Sequence, residues 1–246
     1  MRAVSLGTLP PFRRAALLLD LDGTLLDIAP TPDSVIVPPD LVDNLRALRD
    51  LLEGALAVVT GRPIETIDAL LGDAPYAVAG EHGGAVRPAA GAPVERPDLK
   101  PPPRAWIDRA AEVEAAWPGT ILERKTRGFG LHFRLAPDGG PAIHDALASL
   151  IAGSPDFELI GGHMLWEVRP RGADKGHAVQ RLMRQAPFAG RLPVFIGDDV
   201  TDEDGMREAR AMGGTGLRVQ DEFGDAAGVR AWLRDTASRG DWGLPK

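Results

Sequence analysis

The sequence contains no cysteine. Disulfides, thiolate catalysis and cysteine-based zinc sites are therefore excluded, and the absence suits a reducing cytoplasm, the expected location. Long hydrophobic runs are missing as well. No stretch approaches the roughly 20 apolar residues of a membrane span, and the first fourteen residues lack the apolar segment of a signal peptide. An excess of positive charge is also absent. With 28 Lys and Arg against 35 Asp and Glu, the net charge is −7, which argues against nucleic acid and anionic membrane as partners. An anionic small molecule stays open, because a metal ion and one placed lysine can dominate a local field. There is no internal repeat and no long low-complexity segment.

What is present is ordinary material for a soluble globular protein. The chain has 246 residues, 44% of them hydrophobic, enough for one large domain or a core with a smaller insert. Short apolar runs read as buried strands at Ala15 to Leu21, Ala55 to Thr60, Tyr76 to Ala79 and Leu192 to Ile196. Apolar residues at helical spacing, Leu41, Leu45, Leu48 and Leu52, predict a helix between the first two. Further helices are expected at Pro63 to Leu71, Asp202 to Ala211 and Ala226 to Ala237, with a last strand at Gly216 to Val219. Strands alternating with helices imply an α/β fold with a parallel sheet.

The pattern changes after Gly91. Prolines at 93, 97 and 101 to 103 stiffen the chain. A helix (Ala105 to Trp117), two strands (Thr120 to Lys125, Gly130 to Leu135), a helix (Ile143 to Ala152) and two more strands follow. The last two, Phe157 to Ile160 and Met164 to Val168, read as a hairpin joined by Gly161-Gly162-His163. Hairpin, helix, hairpin predicts a small α+β insert. The expected division is a core of residues 1–98 and 172–246 and an inserted cap of residues 99–171.

Four segments carry candidate chemistry, each at the carboxyl end of a predicted core strand or before a helix. Asp20 and Asp22 close the first strand, where paired carboxylates could share a divalent metal; Asp-Gly is equally a turn signal. Thr60-Gly61-Arg62 offers a hydroxyl and an N–H to a phosphate oxygen, or a helix cap. Lys175 is a compact cation able to hold a phosphoryl group, or a solvated loop residue. Asp198 and Asp199 close the strand ending at Ile196. Glu203 and Asp204, farther on, suit a helix start through its dipole. Acid, hydroxyl, amine and acid on one side of one sheet is what phosphoryl transfer requires.

In this order, Asp20-Leu-Asp-Gly-Thr24, Thr60-Gly-Arg62, Lys175 and Gly197-Asp-Asp199 resemble the motifs of the haloacid-dehalogenase-like (HAD) phosphatases. The resemblance spans nearly the whole chain. It implies a Rossmann-like core with a cap inserted between the second and third motifs. It implies Asp20 as nucleophile and Asp22 as general acid and base, with Thr60 and Lys175 holding the transferring oxygens. It further implies Mg²⁺ held by Asp20, the Asp22 main-chain carbonyl and Asp198. Asp199 either orients Lys175 or reaches the metal through water, and Asp202 is a weaker metal candidate.

A finer resemblance is to the trehalose-6-phosphate phosphatase family. Gly-Asp-Asp-Val-Thr-Asp-Glu (197–203), Glu123-Arg-Lys125 with His132-Phe-Arg134, and Glu167-Val-Arg-Pro170 leading to Lys175-Gly176 carry it. It implies that Glu123, Lys125, His132 and Glu167 contact the sugar. Gly80-Glu81-His82-Gly83 resembles a further family segment, which adds His82 to Gly61 and Arg62 as expected substrate contacts. The expected partner is a sugar phosphate met by a monomer, and the expected activity is Mg²⁺-dependent hydrolysis of trehalose 6-phosphate. The alternatives are a phosphatase for sucrose or mannosylglycerate phosphates, a phosphotransferase or mutase on the same core, and a non-catalytic phospho-sugar-binding regulator. A cap that closes would exclude bulk water, with hinges at the proline-rich stretch and near Gly172.

Overall fold

Five consecutive apolar residues, Ala15–Leu19, form strand β1, and every one is buried. Such a run has no solvent-facing positions, which is the mark of a strand covered on both faces. The same holds for β2 (Leu56–Val59) and β3 (Ala77–Gly80). With β9 (Leu192–Gly197) and β10 (Thr215–Arg218) they make the parallel part of a six-stranded sheet in the order β10-β9-β1-β2-β3-β4. β4 (Ala85–Arg87) pairs antiparallel with β3 at the edge. Sequence patterning did not signal β4: three residues carry no measurable periodicity. The computed structural model describes residues 9–243; the first eight, on which part of the N-terminal reading rests, lie outside the described residues.

Helices cross over between the parallel strands, as right-handed α/β connectivity requires. α1 (Leu41–Leu51) buries Leu41, Leu45 and Leu48, the residues whose spacing predicted it, and packs on α8 (Ala226–Arg239). α2 (Ile64–Leu71) follows β2. α5 (Lys175–Met183) packs on α6 (Asp202–Ala211), and the short α7 (Val219–Glu222) follows β10. The chain order of strands inverts between β1 and β2 on one side and β9 on the other. In open α/β sheets the crevice beside such a reversal, at the strand carboxyl ends, is where ligands bind. β1 ends there at Asp20 and β9 at Asp198.

The chain divides into two compact units. The first holds the described residues through Ala29, then Val35–Arg96 and the chain from Asp174 on; the second holds Pro97–Ala173 with Pro30–Ser34. In the second, β5 (Ile121–Arg124), β6 (Phe129–His132), β7 (Phe157–Gly162) and β8 (Leu165–Pro170) form an antiparallel sheet in the order β5-β6-β8-β7. Alternation decides its two faces. Phe129, Leu131, Phe157 and Val168 pack with Ala110 and Val113 of α3 (Arg104–Ala116) and Ile143 and Leu147 of α4 (Gly140–Ile151). The opposite face carries Glu123, Gly130 and Glu167 in one cross-strand row.

One expectation is corrected here. Gly161 and Gly162 do not make the hairpin turn; they are strand residues, paired with Trp166 and Leu165. The turn falls at His163 and Met164, and Met164 takes the positive φ of 56°. The glycines serve a side chain instead: the Trp166 ring lies across Gly161. A flat indole needs a bare neighbour on the next strand, and that demand outweighs the turn propensity of a Gly pair.

Candidate active site

Hydrogen bonding to Lys175 organises the carboxyl end of the parallel sheet. Asp174 caps α5, its carboxylate accepting the His177 N–H at 2.9 Å, and so fixes Lys175 as the first helical residue. From there the Lys175 ammonium donates to Asp20 Oδ1 and to Asp202 Oδ1, both at 2.6 Å. All three side chains are buried. Burial works against the lysine charge, but the two carboxylates outweigh it and hold its pKa above the ordinary value.

Asp202, the first residue of α6, is fully buried and ties this group together. Its second oxygen accepts the backbone N–H groups of Asp198 (3.1 Å) and Asp199 (3.0 Å). The Lys175 ammonium is thus held by Asp202 and Asp20, and no Asp199 oxygen is among its partners. The Asp199 carboxylate turns away to accept the Val200 N–H at 2.6 Å. Sequence reasoning underrated Asp202 because it begins a helix in a run of acids. Glu203 and Asp204 beside it do pair with Arg218 and Arg207. Nothing local separates the buried acid from those two.

Asp20, Asp198 and Asp202 offer carboxylate oxygens that all lie within 4.8 Å of one another. Among the described residues it is the one such acidic group that the geometry brings together as a possible metal site. The Thr24 hydroxyl sits over it, 3.4 Å from Asp20 Oδ2 and 3.5 Å from Asp198 Oδ1. Gly23, at φ 82°, allows the loop to approach, since a Cβ there would stand 2.1 Å from Asp198 Oδ2. Asp202 has both oxygens taken by close donors and Asp20 only one, so Asp20 and Asp198 are the more available hard ligands.

The electrostatics show that this set lacks positive charge. Burial first, then the nearby Asp202 charge, push the Asp20 carboxyl up, with Lys175 pulling the other way. Asp198 is pushed up to about 7 by burial and by Asp202 and Asp199. A divalent cation between Asp20 and Asp198 would supply the missing charge, so the donor set fits one.

A testable consequence has a definite sign. A carboxyl with a folded-state pKa above its unfolded value of 3.8 takes up a proton on folding between those values. Metal-free protein therefore gains stability from Asp198 as pH falls through about 7, and loses it as pH rises. A cation competes with that proton. Mg²⁺ is expected to raise the melting temperature by several degrees at about pH 8 and by much less at about pH 5. An increment independent of pH, or one kept by Asp198→Asn, would contradict the assignment of Asp198 as ligand.

Asp22 stands apart from the acidic group. Arg62 Nε and a terminal nitrogen grip its two oxygens at 2.7 and 2.8 Å, a two-pronged ion pair. Thr60 is buried, and its hydroxyl accepts the Arg62 N–H at 3.2 Å, closing the turn that carries Gly61. His82 is buried beside that turn, with its ring against Gly61.

The other expected contacts, Glu123, Lys125, His132 and Glu167, gather on one sheet face of the second unit. Lys125 donates to Glu167 at 2.6 Å, both side chains almost wholly buried, and His132 Nε2 meets Glu123 at 2.9 Å. Burial acts to raise Glu123, but Lys125 and the His132 hydrogen bond outweigh it and hold the group below the usual range.

The chain is similar to known proteins over most of its length. The profile of the trehalose-phosphatase family matches residues 18–228. A probable trehalose-phosphate phosphatase from Sinorhizobium fredii is 40% identical over 205 residues, covering 83% of this chain and 77% of that protein. The trehalose-6-phosphate phosphatase of Escherichia coli is 37% identical over 211 residues, with the same coverage of 83% and 77%. Among solved structures, the C-terminal domain of the C. albicans trehalose-6-phosphate phosphatase superposes with a TM-score of 0.76, covering 92% of each chain. At 20% identity that likeness speaks for the fold alone. The extent of the profile match and the identity to the two bacterial relatives place the chain in the trehalose-phosphatase family.

Proposed function

We propose that the chain hydrolyses trehalose 6-phosphate to trehalose and phosphate through a phosphoryl group carried on Asp20. The observation that carries the mechanism is the Lys175 clamp. It holds one oxygen of Asp20 and leaves the other facing Thr24 and Asp198. A buried carboxylate with one oxygen restrained and one available is placed for in-line attack.

In the first step the free Asp20 oxygen bonds to phosphorus and the bond from phosphorus to the sugar oxygen breaks. Asp22 gives that oxygen its proton. In the second, Asp22 removes a proton from water as the water oxygen bonds to phosphorus, the bond from phosphorus to the Asp20 oxygen breaks, and inorganic phosphate leaves the regenerated Asp20 carboxylate. The Arg62 fork fixes the orientation of the Asp22 carboxylate meanwhile. Lys175 and the Thr60-Gly61 turn balance the charge on the transferring oxygens. Mg²⁺ held by Asp198 and by the Asp20 oxygen that does not attack would neutralise phosphoryl charge and orient the displacement.

The polar row of the second unit is where we place recognition of the disaccharide. Lys125 and His132 keep Glu123 ionised, and the carboxylates of Glu123 and Glu167 are acceptors suited to sugar hydroxyls. Among the described residues no helix is long and apolar enough to cross a membrane.

Phosphate release over a panel of sugar phosphates, with Mg²⁺ and with EDTA, tests this reading, and Glu167→Gln belongs in the same assay. That substitution keeps volume and an acceptor for Lys125. It is expected to lower kcat/KM on trehalose 6-phosphate by about 10- to 100-fold and on p-nitrophenyl phosphate by about threefold at most. Equal losses on the two would mean that this face does not read the sugar.

A further inference from the structure

The segment after β3 is strained, and the steps derived above do not use it. Glu81 (φ 51°), His82 (φ 55°) and Gly83 (φ 98°) are three successive residues in the left-handed region. All three are buried. Two of them bear side chains, for which that region is unfavourable, and strain of this kind persists where the surroundings hold it for a purpose.

The surroundings here are the phosphoryl-binding elements. The Glu81 N–H donates to the Arg62 carbonyl at 3.0 Å, and the His82 N–H to the Thr60 carbonyl at 2.9 Å. The run thus hangs on both ends of the Thr60-Gly61-Arg62 turn. Between those anchors the imidazole stands against Gly61, where a Cβ would lie 2.6 Å from His82 Nε2. On its other side Gly83 meets the first turn of α5, with a Cβ position 2.9 Å from the Asp174 carbonyl. Lys175 is the next residue.

We propose that His82 is a positioning residue for phosphoryl transfer: its ring, propped by the left-handed run of Glu81 to Gly83, fixes the Gly61 peptide so that its N–H meets a phosphoryl oxygen. Glycine at 61 and the ring at 82 are complementary, each shaped by the other. This differs from a sugar contact by His82, and it rests on Thr60 and Gly61 as part of the phosphoryl cradle. An ångström-scale shift of such a donor is enough to cost about 100-fold in rate.

A double-mutant cycle between Gly61 and His82 tests it, with melting temperatures as the check on folding. His82→Gly keeps the positive φ at no steric cost and removes only the ring. It is expected to lower kcat/KM by the same factor, about 10- to 100-fold, on trehalose 6-phosphate and on p-nitrophenyl phosphate. It should weaken inhibition by inorganic phosphate in parallel. Gly61→Ala drives a methyl into the ring and should lose at least as much. The double variant Gly61→Ala/His82→Gly gives that methyl room and should recover part of the loss.

Loss on trehalose 6-phosphate alone would show that the ring touches sugar and would overturn the proposal. So would a double variant whose loss is the product of the two single losses. Because p-nitrophenyl phosphate reports on the phosphoryl end alone, the cycle separates these outcomes even if another sugar phosphate is the substrate.

Discussion

Asp20→Asn is expected to abolish turnover while leaving the fold as stable as before, or more stable. The amide cannot attack phosphorus, and loss of an enzymatic nucleophile costs on the order of 10⁶ in kcat. Stability should move the other way. Burial and the Asp202 charge already raise the Asp20 carboxyl, so its ionised form is held in the folded chain at a cost. Asparagine has the same shape and can still accept from Lys175, while one of the buried negative charges crowded around that single lysine is gone. Near pH 8 and without metal the melting temperature is expected to hold or rise, whereas the Mg²⁺-induced increment shrinks. Residual phosphate release above about one part in a thousand of wild type would overturn Asp20 as nucleophile.

Asp202→Ala is expected to fail in the opposite manner, through the fold as well as the chemistry. Its carboxylate accepts three hydrogen bonds, from the Lys175 ammonium and from two backbone N–H groups. Removing it takes the acceptor from two backbone N–H groups and leaves the buried Lys175 with Asp20 alone. Breaking a buried charged pair from one side costs about 3–5 kcal/mol, a large share of a typical domain's stability. Turnover should fall by at least about 100-fold, because Lys175 and the Asp198 loop both lose their anchor. Asp199→Ala is the matched control. That carboxylate holds the Val200 N–H, and its loss is expected to cost about 1 kcal/mol. Denaturant unfolding and phosphate release on the pair check this. Asp199→Ala proving the more damaging of the two would refute the assignment of Asp202 as the orienter of Lys175.

The two acids also show how far the sequence could be read. Asp20 and Asp198 were legible because each follows a continuous apolar run: burial on both faces identifies the strand, and the strand's end identifies the crevice. The α/β core, the helix carrying Leu41, Leu45 and Leu48, and the inserted antiparallel sheet were legible for the same reason, as periodicity records burial directly. Asp202 was not, because its partners lie 27 residues away at Lys175 and across the Asp198 turn. Arg62 presented the same difficulty. Its side chain holds Asp22, 40 residues distant in sequence, a pairing that no local pattern announces. His82 gave no sign that its backbone would be left-handed, since that conformation is imposed by two carbonyls of another loop. Gly161 and Gly162 misled in a different way: a turn signal is a statement about backbone freedom, and here the freedom went to packing Trp166.

A common logic connects the site. In the proposed mechanism each acting group is held by a second one: Lys175 by Asp202, Asp22 by Arg62, the Gly61 turn by the run at His82. Preorganised charge needs no rearrangement at the moment of reaction, which is how electrostatic stabilisation becomes rate.

The central claim, that a phosphoryl group is carried on Asp20, has a direct chemical test. The enzyme is mixed with trehalose 6-phosphate and Mg²⁺, quenched within the first turnovers, and treated with borohydride, which reduces an acyl phosphate to an alcohol. Peptide mass spectrometry then reads position 20. The expected result is homoserine at residue 20, dependent on substrate and absent from Asp20→Asn. Active turnover with an unmodified Asp20, or with the reduced residue elsewhere in the chain, would contradict the account.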